Sequence, residues 1–245
     1  MQLITTIGLL ATLQAVLAYS QNPPNPQDAQ DGCPEVHVIA ARGTNVKPGY
    51  DILLPLVTQI KTTYAEATSE SIDYPACDGK SSCGGIRYPE SAKRGTVAVA
   101  KAVNGFYKKC PKAQLVLMGS SQGGQIIDNA LCGGADPGPV SPASLGTTDA
   151  AVAIDPSAAK MVKAAILVGN PSFRSGPPYT VGSCRGKGVV ARPEGSTCSN
   201  GDKVHSWCDA EDPVCCQGRD YAVHGAYVTK YKTQILDFVN SKLAG

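Results

Sequence analysis

The stretch QLVLMGSSQGG, residues 114–124, carries the pattern that decides the fold of this chain. It opens with a largely apolar run typical of a buried strand and continues into residues with the apolar spacing of a helix. Between the two lies a Gly-x-Ser-x-Gly motif formed by Gly119, Ser121 and Gly123, whose spacing Ser120 does not satisfy. Such a motif between a strand and a helix predicts a strained turn that lifts the hydroxyl of Ser121 off a sheet as a nucleophile.

Strand-like and helix-like segments alternate on both sides of this motif. Apolar runs predict buried strands at 36–41, 114–118 and 162–168, and a short final strand at 203–208. Helical spacing of apolar residues predicts helices at 51–67, 91–110, 122–131 and 227–243. The alternation indicates a three-layer α/β fold, with a central parallel sheet covered by helices on both faces. Stretches rich in Gly, Pro and Cys at 132–150 and 171–203 are predicted surface loops, and no inserted helical segment indicates a lid.

The N-terminal residues and the cysteine count both indicate export. Residues 1–18 are nearly all apolar or small and end at a plausible cleavage site, as in a secretory signal peptide. Residues 19–32 then form a polar, Pro-rich leader, and 33–245 are predicted to be a single catalytic domain. Ten cysteines in an exported chain predict five disulfides, in which the adjacent Cys215 and Cys216 bond to different partners.

Charge and hydropathy exclude two classes of partner. The formal net charge is only +2 and no Lys/Arg-rich run stands out, so we expect no nucleic-acid binding. No stretch after the N-terminal one is long and apolar enough to span a bilayer, so we expect no membrane insertion.

A serine nucleophile needs a histidine base, and the chain has three histidines. In the hydrolase order the base follows the nucleophile and the acid. His224 comes after a loop at the head of the last predicted helix and is the best candidate. His205, at the start of the short final strand, stays as an alternative. His37 precedes Ser121 within a buried strand pattern, which favours a structural role.

The acid that orients the base must lie between Ser121 and His224. Four carboxylates cluster there, namely Asp209, Glu211, Asp212 and Asp220. A disulfide between Cys208 and Cys215 would fix the carboxylate of Asp212 within a small loop, which suits the task of holding an imidazole tautomer. Spacing alone does not separate Asp209 from Asp212.

Two donors are needed to stabilise the oxyanion of an acyl-transfer reaction. The turn itself supplies the backbone N–H of Gln122, the residue after the nucleophile. The second donor is expected from a loop after an early strand. Thr44, in the segment Arg42-Gly43-Thr44, is the candidate because that segment follows the first predicted strand.

With these residues in place, the chain resembles an acetylxylan esterase of the cutinase superfamily (carbohydrate esterase family 5) from Gly32 to the C-terminus. The resemblance is carried by ARGT at 41–44, YPAC at 74–77, SSCGG at 81–85, GSSQGG at 119–124, the segment 208–216, and His224. It implies Asp212 as the acid and Thr44 and Gln122 as oxyanion donors. It also implies disulfides Cys33–Cys110, Cys77–Cys83, Cys132–Cys198, Cys184–Cys216 and Cys208–Cys215. One departure is Ser120, where the family usually has tyrosine.

The resemblance implies a secreted, monomeric serine esterase that deacetylates xylan without a metal or cofactor. A cutinase or other lipid ester hydrolase with the same machinery is the nearest alternative, because cutinases share the turn, the early Arg-Gly-Ser/Thr loop and the acid loop. A non-catalytic secreted carbohydrate-binding protein is the alternative of a different class.

Overall fold

A six-stranded, entirely parallel sheet forms the centre of the molecule. The computed structural model describes residues 32–133 and 153–245, so the predicted signal peptide and residues 19–31 of the predicted leader lie outside the described residues. The strands are β1 Val36–Ala41, β2 Thr68–Ser71, β3 Gln114–Ser120, β4 Val162–Val168, β5 Thr180–Val181 and β6 Val204–Trp207. Their order across the sheet is β2-β1-β3-β4-β6-β5.

The described helices are α1 Leu54–Thr63, α2 Tyr88–Lys109, α3 Gln122–Cys132, α4 Pro156–Met161, α5 Tyr221–Gly225 and α6 Tyr227–Leu243. Predicted helix 51–67 was too long at both ends. A 3₁₀ turn covers Asp51–Leu53, and the chain leaves α1 at Thr63 to enter β2. Within 32–133 and 153–245, no helix combines the length and apolar character needed to cross a bilayer.

Alternate residues of the sheet face two separate apolar cores, which is the three-layer arrangement predicted from the sequence. On one face, Val38, Val116 and Ile166 pack with residues of α1 and α6. On the other face, Leu117 and Leu167 pack with residues of α2, α3 and α4. The central strands are buried on both faces, which explains their continuous apolar runs.

The strand register places the C-terminal ends of four strands at one edge of the sheet. Ala41 pairs with Gly119, Ser120 pairs with Val168, and Val168 pairs with Trp207. Strands β1, β3, β4 and β6 therefore end at the same level. Ligands of open parallel sheets bind at this carboxyl edge, so the loops that follow these four strands build the site.

Five disulfides join segments that are mostly distant in sequence. They are Cys33–Cys110, Cys77–Cys83, Cys132–Cys198, Cys184–Cys216 and Cys208–Cys215, the same pairs that the resemblance implies. No free cysteine remains among the described residues. The bridges at 184 and 198 anchor the stretch 171–203, and the predicted loop at 132–150 falls almost entirely outside the described residues.

The stretch 171–203 is more than the surface loop that its composition predicts, because part of it is attached to the core by an ion pair. Arg192 donates from Nε to Oδ2 of Asp128 on α3 at 2.8 Å, and both side chains are at least nine-tenths buried. The same carboxylate oxygen accepts hydrogen bonds from Asn170 and Ser172, just after β4. This network therefore fixes the loop after β4 to the body of α3.

A second buried carboxylate ties the end of β6 to the last helix. Asp209 accepts from Lys230 Nζ at 2.8 Å and from Tyr231 Oη at 2.7 Å, both on α6. It also accepts from the backbone and hydroxyl of Ser183. Burial alone would raise the pKa of Asp209, but these hydrogen bonds outweigh it and hold the pKa below the usual value.

We expect Arg192→Met to lower the free energy of unfolding by about 3 kcal/mol, because removing one partner of a buried ion pair leaves an uncompensated charge. Urea denaturation at pH 7, with the disulfides intact, measures this. The control is Arg94→Met, since Arg94 forms an exposed pair with Glu90 at 2.7 Å. The control should change stability by less than about 0.5 kcal/mol. Equal effects of the two variants would contradict the assignment.

For Asp209→Asn we expect a loss of stability that depends on pH. A carboxylate with a depressed folded pKa stabilises the protein fully above its unfolded pKa of about 4. This contribution disappears as the pH falls through the folded pKa. The difference in unfolding free energy between wild type and variant should be about 2 kcal/mol at pH 7 and should fall toward zero as the pH drops through the folded pKa. Asp237→Asn, at an exposed position of α6, is the control at pH 7. A difference that does not change with pH would contradict the ionic role.

Candidate active site

Ser121 occupies the strained turn that the motif predicts. It lies between the last residue of β3 and the first residue of α3, with φ 53° and ψ −122°, outside the favoured regions for a residue with a side chain. Its N–H donates to the Val168 carbonyl at 2.9 Å, and its carbonyl accepts from Gln125 N–H at 3.1 Å. Both backbone groups are satisfied, so the surroundings hold the strained conformation in place.

The second glycine of the motif is required by a close approach between two backbones. A Cβ atom at Gly123 would lie 2.0 Å from the carbonyl oxygen of Ala41 at the end of β1. No side chain fits there. The first turn of α3 therefore packs directly on the end of β1, and this contact sets the Ser121 turn beside the loop that follows β1.

The loop after β1 is held by the side chain of Arg42. Its guanidinium donates to the carbonyls of Val46, Ile72 and Tyr74, and it lies 5.0 Å from the centre of the Tyr74 ring. The Tyr74 hydroxyl donates back to the Arg42 carbonyl at 2.6 Å. A buried charge with this many partners fixes the position of the residues that follow it.

Thr44 lies in this fixed loop and lines the same cleft as Ser121. The preceding residue, Gly43, donates its N–H to Oδ2 of Asp51 at 2.9 Å, which orients the peptide chain just before Thr44. Asp51 was not singled out from the sequence, because nothing in its neighbourhood marks it. Asp51 has a left-handed φ of 53°.

Gln122 is the first residue of α3 and is completely buried. Ser91 Oγ donates to its side-chain oxygen at 2.9 Å, and its amide donates to the Cys77 carbonyl at 3.4 Å. These contacts lock the residue, and its backbone N–H lies in the first turn of a helix, where no intrahelical acceptor exists. The N–H groups of Gln122 and Thr44 remain the candidates for the two donors that an oxyanion would need.

His224 and Asp212 are joined by a hydrogen bond of 2.8 Å between Nδ1 and Oδ2. His224 lies in the short helix α5, is partly exposed, and lines the cleft with Ser121. The imidazole packs close to Gly169, just after β4, where an added Cβ would come within 2.9 Å of Nδ1 and Cε1. Nδ1 bonded to the carboxylate leaves Nε2 as the nitrogen available for a reacting group.

Asp212 is wholly buried and accepts four hydrogen bonds. Its Oδ1 accepts from the N–H groups of Val214 at 2.6 Å and Cys215 at 3.1 Å, within the loop that the Cys208–Cys215 disulfide closes. Its Oδ2 accepts from His224 and from the hydroxyl of Tyr227 at 2.8 Å. Burial would raise the pKa of Asp212, but the bonds from His224, Val214 and Tyr227 hold the pKa below its usual value. The carboxylate is therefore kept ionised.

Tyr227 is a site residue that sequence reasoning missed. Its buried hydroxyl donates to Asp212 and accepts from the N–H of Asp209 at 2.9 Å, and burial raises its pKa far above the usual value. It opens helix α6 and looks like any core tyrosine in the sequence. No pattern in a single sequence marks it, since its partners lie 15 and 18 residues away in a loop.

The competing candidates lie elsewhere. Both oxygens of Asp209 are engaged with Lys230, Tyr231 and Ser183, so this carboxylate is a structural tie and not the partner of a histidine. His205 stacks on Phe238 of α6 at 3.7 Å between ring centres. His37 pairs with Leu115 near the start of β3, at the opposite edge of the sheet from Ser121, and stacks on Phe106.

The cleft at the carboxyl edge has a volume of about 630 Å³. One wall comes from the loops after β1 and β2 and the start of α2, and the other from the loops after β4, β5 and β6 and from helix α5. Ser120, the residue that replaces the usual family tyrosine, is buried at the end of β3 and also lines the cleft. Among the described residues, the one group that could gather around a metal ion is Cys184, Cys208 and Cys216, and all three sulfurs are in disulfides.

Comparisons with known proteins agree with this architecture. The chain is 51% identical over 214 residues to "Cutinase 11" of Verticillium dahliae, covering 87% of this chain and 70% of the relative. It is 47% identical over 211 residues to "Acetylxylan esterase 2" of Talaromyces purpureogenus, covering 86% and 88%. The structure of the catalytic core domain of acetyl xylan esterase from Trichoderma reesei matches with a TM-score of 0.80 at 47% identity, covering 86% of this chain and 99% of that domain.

The family profile described as Cutinase matches residues 32–243, which is nearly all of the described chain. The parallel sheet, the strained serine turn and the disulfide-closed acid loop all lie inside this range. The chain therefore belongs to the cutinase family.

Proposed function

We propose that this chain is a secreted carboxylic ester hydrolase that removes acetyl groups from acetylated xylan through Ser121, His224 and Asp212. The observation that carries the proposal is the 2.8 Å bond between His224 Nδ1 and Asp212, at a cleft that also contains Ser121 on its strained turn. Deacetylation of xylan is the reaction for which both the Talaromyces relative and the matching Trichoderma domain are named.

In the proposed reaction, Ser121 Oγ attacks the acetyl carbonyl while Nε2 of His224 accepts its proton. Asp212 stays ionised and stabilises the imidazolium that forms. The N–H groups of Gln122 and Thr44 bind the oxyanion, each worth about 10²–10³ in turnover. The tetrahedral intermediate collapses when His224 returns the proton to the xylan hydroxyl, leaving an acetyl-enzyme. Water, activated by the same imidazole, then releases acetate.

Secretion and a monomeric state complete the proposal. Five disulfides are typical of chains that fold in an oxidising compartment. The apolar N-terminal stretch 1–18 supports export as well. Mass determination of the protein recovered from culture medium would locate the mature N-terminus, and light scattering would give the oligomeric state.

A cutinase activity is the second candidate, because one wall of the cleft is apolar. Pro171, Val189, Val190 and Val214 line that wall, and Val46 and Ile52 add apolar surface opposite. A relative named Cutinase 11 shares 51% of aligned residues with this chain. Both activities use the same serine chemistry, so the length of the acyl group that the cleft accepts decides between them.

We expect Ser121→Ala to lower kcat by about 10⁶-fold on p-nitrophenyl acetate, because the nucleophile is lost. The near- and far-ultraviolet circular dichroism spectra should stay as in wild type, because the substitution only removes a hydroxyl group and introduces no steric clash. Ser120→Ala is the matched control and should keep most of the activity. Loss of activity in Ser120→Ala alone would show that the nucleophile was assigned wrongly, and acetate release that survives in both would reject the serine mechanism.

The acyl-length prediction concerns kcat/KM on p-nitrophenyl esters at fixed pH. We expect a steep fall beyond butyrate and no increase in rate above the solubility limit. The reason is that a cleft that also holds a polysaccharide leaves little length for the acyl group, and each methylene without space is worth about 1–3 kcal/mol in discrimination. A maximum at octanoate or longer would favour the cutinase activity and reject the acetyl-specific one.

A further inference from the structure

The exposed apolar side chains of this protein are concentrated at the cleft. Four large apolar residues are exposed among those that the structure describes, at 46, 54, 189 and 221. Val46, Val189 and Tyr221 line the cleft, and Leu54 does not. Val46 and Val189 come from loops and Tyr221 from helix α5, all far apart in sequence, so their gathering is a property of the fold. Exposed apolar surface gathered at one place marks a binding surface.

Tyr221 is the most exposed of the four, at 72%. Every other Phe, Tyr or Trp within the described ranges is buried or half-buried. The half-buried Tyr50 and Tyr88, for example, donate or accept hydrogen bonds through their hydroxyls. An aromatic ring kept in solvent at the mouth of the cleft gives up the burial that stabilises the other rings, which points to a role in binding.

The backbone under Tyr221 is well held. Helix α5 begins after Asp220, whose carboxylate accepts from the N–H of Ala222 at 2.8 Å, and the N–H of Asp220 donates to the Glu211 carbonyl. His224 lies three residues later in the same helical turn. Residues three apart in a helix lie on the same side of it, and both Tyr221 and His224 line the cleft.

The two walls of the cleft differ in chemistry. On the β1 side, Thr44, Asn45, Asp51 and Asp78 offer groups that hydrogen-bond to hydroxyls, beside the apolar Val46 and Ile52. On the β4 and β6 side, the lining is Pro171, Val189, Val190 and Val214, with Tyr221. A pyranose ring has the matching division, since its faces carry C–H groups and its edge carries hydroxyls. A flexible acyl chain has no hydroxyl groups to bond to these polar side chains.

We propose that Tyr221 is a stacking platform for a sugar ring of the polysaccharide, next to the acetylated residue that Ser121 attacks. The negative π-face of the ring attracts the C–H groups of a pyranose face, and an aromatic contact of this kind is worth about three- to tenfold in affinity. The inference rests on the proposed function. It means that Tyr221 contributes to binding of the polymer and does not affect hydrolysis of an ester that lacks a sugar chain.

The first test compares kcat/KM on acetylated xylan with kcat/KM on p-nitrophenyl acetate, which lacks a sugar chain. We expect Tyr221→Ala to lower the polymer-to-small-ester ratio by about three- to tenfold. Tyr221→Phe should restore the ratio because it keeps the ring. Leu54→Ala removes an exposed apolar side chain outside the cleft and should leave the ratio unchanged. An unchanged ratio in Tyr221→Ala, or equal loss on both substrates, would overturn the inference.

The second test measures binding without catalysis, by titrating unacetylated xylohexaose into wild type and Tyr221→Ala in a calorimeter. We expect the Kd to rise by about three- to tenfold in the variant. If wild type binds xylohexaose more tightly than Tyr221→Ala but releases no acetate from acetylated xylan, the proposed function is rejected and Tyr221 remains a sugar-binding residue. The same Kd in both proteins would overturn the inference. A loss of hydrolysis in Tyr221→Ala that affects only a cutin-like polyester would also overturn it, because the ring would then bind another ligand.

Discussion

The contact between the backbone of Gly123 and the carbonyl of Ala41 is the constraint on which the site depends. It leaves no room for a Cβ atom, so helix α3 begins directly against the end of β1. Ser121 is consequently held in a strained turn beside the loop of Arg42 and Thr44. The two proposed oxyanion donors, Gln122 and Thr44, belong to the two segments that this contact joins. Any side chain at position 123 would push these segments apart. Oxyanion donors are effective only when they are preorganised.

Asp212 plays the corresponding part on the other side of the cleft. A buried carboxylate is costly unless it is hydrogen-bonded, and this one accepts from its own loop, from His224 and from Tyr227 at the head of α6. The same contacts keep it ionised and set the position of the imidazole. Stability of the acid loop and orientation of the proposed base are therefore a single arrangement, reinforced by the Cys208–Cys215 disulfide.

The cleft combines features of both activities found in the family. Its apolar wall would suit an acyl chain or the face of a sugar, whereas its polar wall suits hydroxyl groups. Serine chemistry at the carboxyl edge of the sheet is common to cutinases and acetylxylan esterases, so specificity has to come from the surrounding loops. The buried pair of Asp128 and Arg192 matters here, because it fixes the stretch that carries Val189 and Val190 into the wall.

The sequence by itself determined the elements whose signals are local. The buried strands, the serine turn and the last helix follow from periodicity and from a motif within eleven residues, because each depends on its own backbone and on burial. The edge strands β2 and β5 escaped prediction, since they are short and lack an apolar run. The spacing of residues favoured His224 over His205 but left Asp209 and Asp212 open, and only the tertiary structure shows that it is Asp212 that bonds to His224. That choice depends on which side chains α6 and the disulfide-closed loop bring together, and contacts between residues distant in sequence leave no periodic signal along the chain.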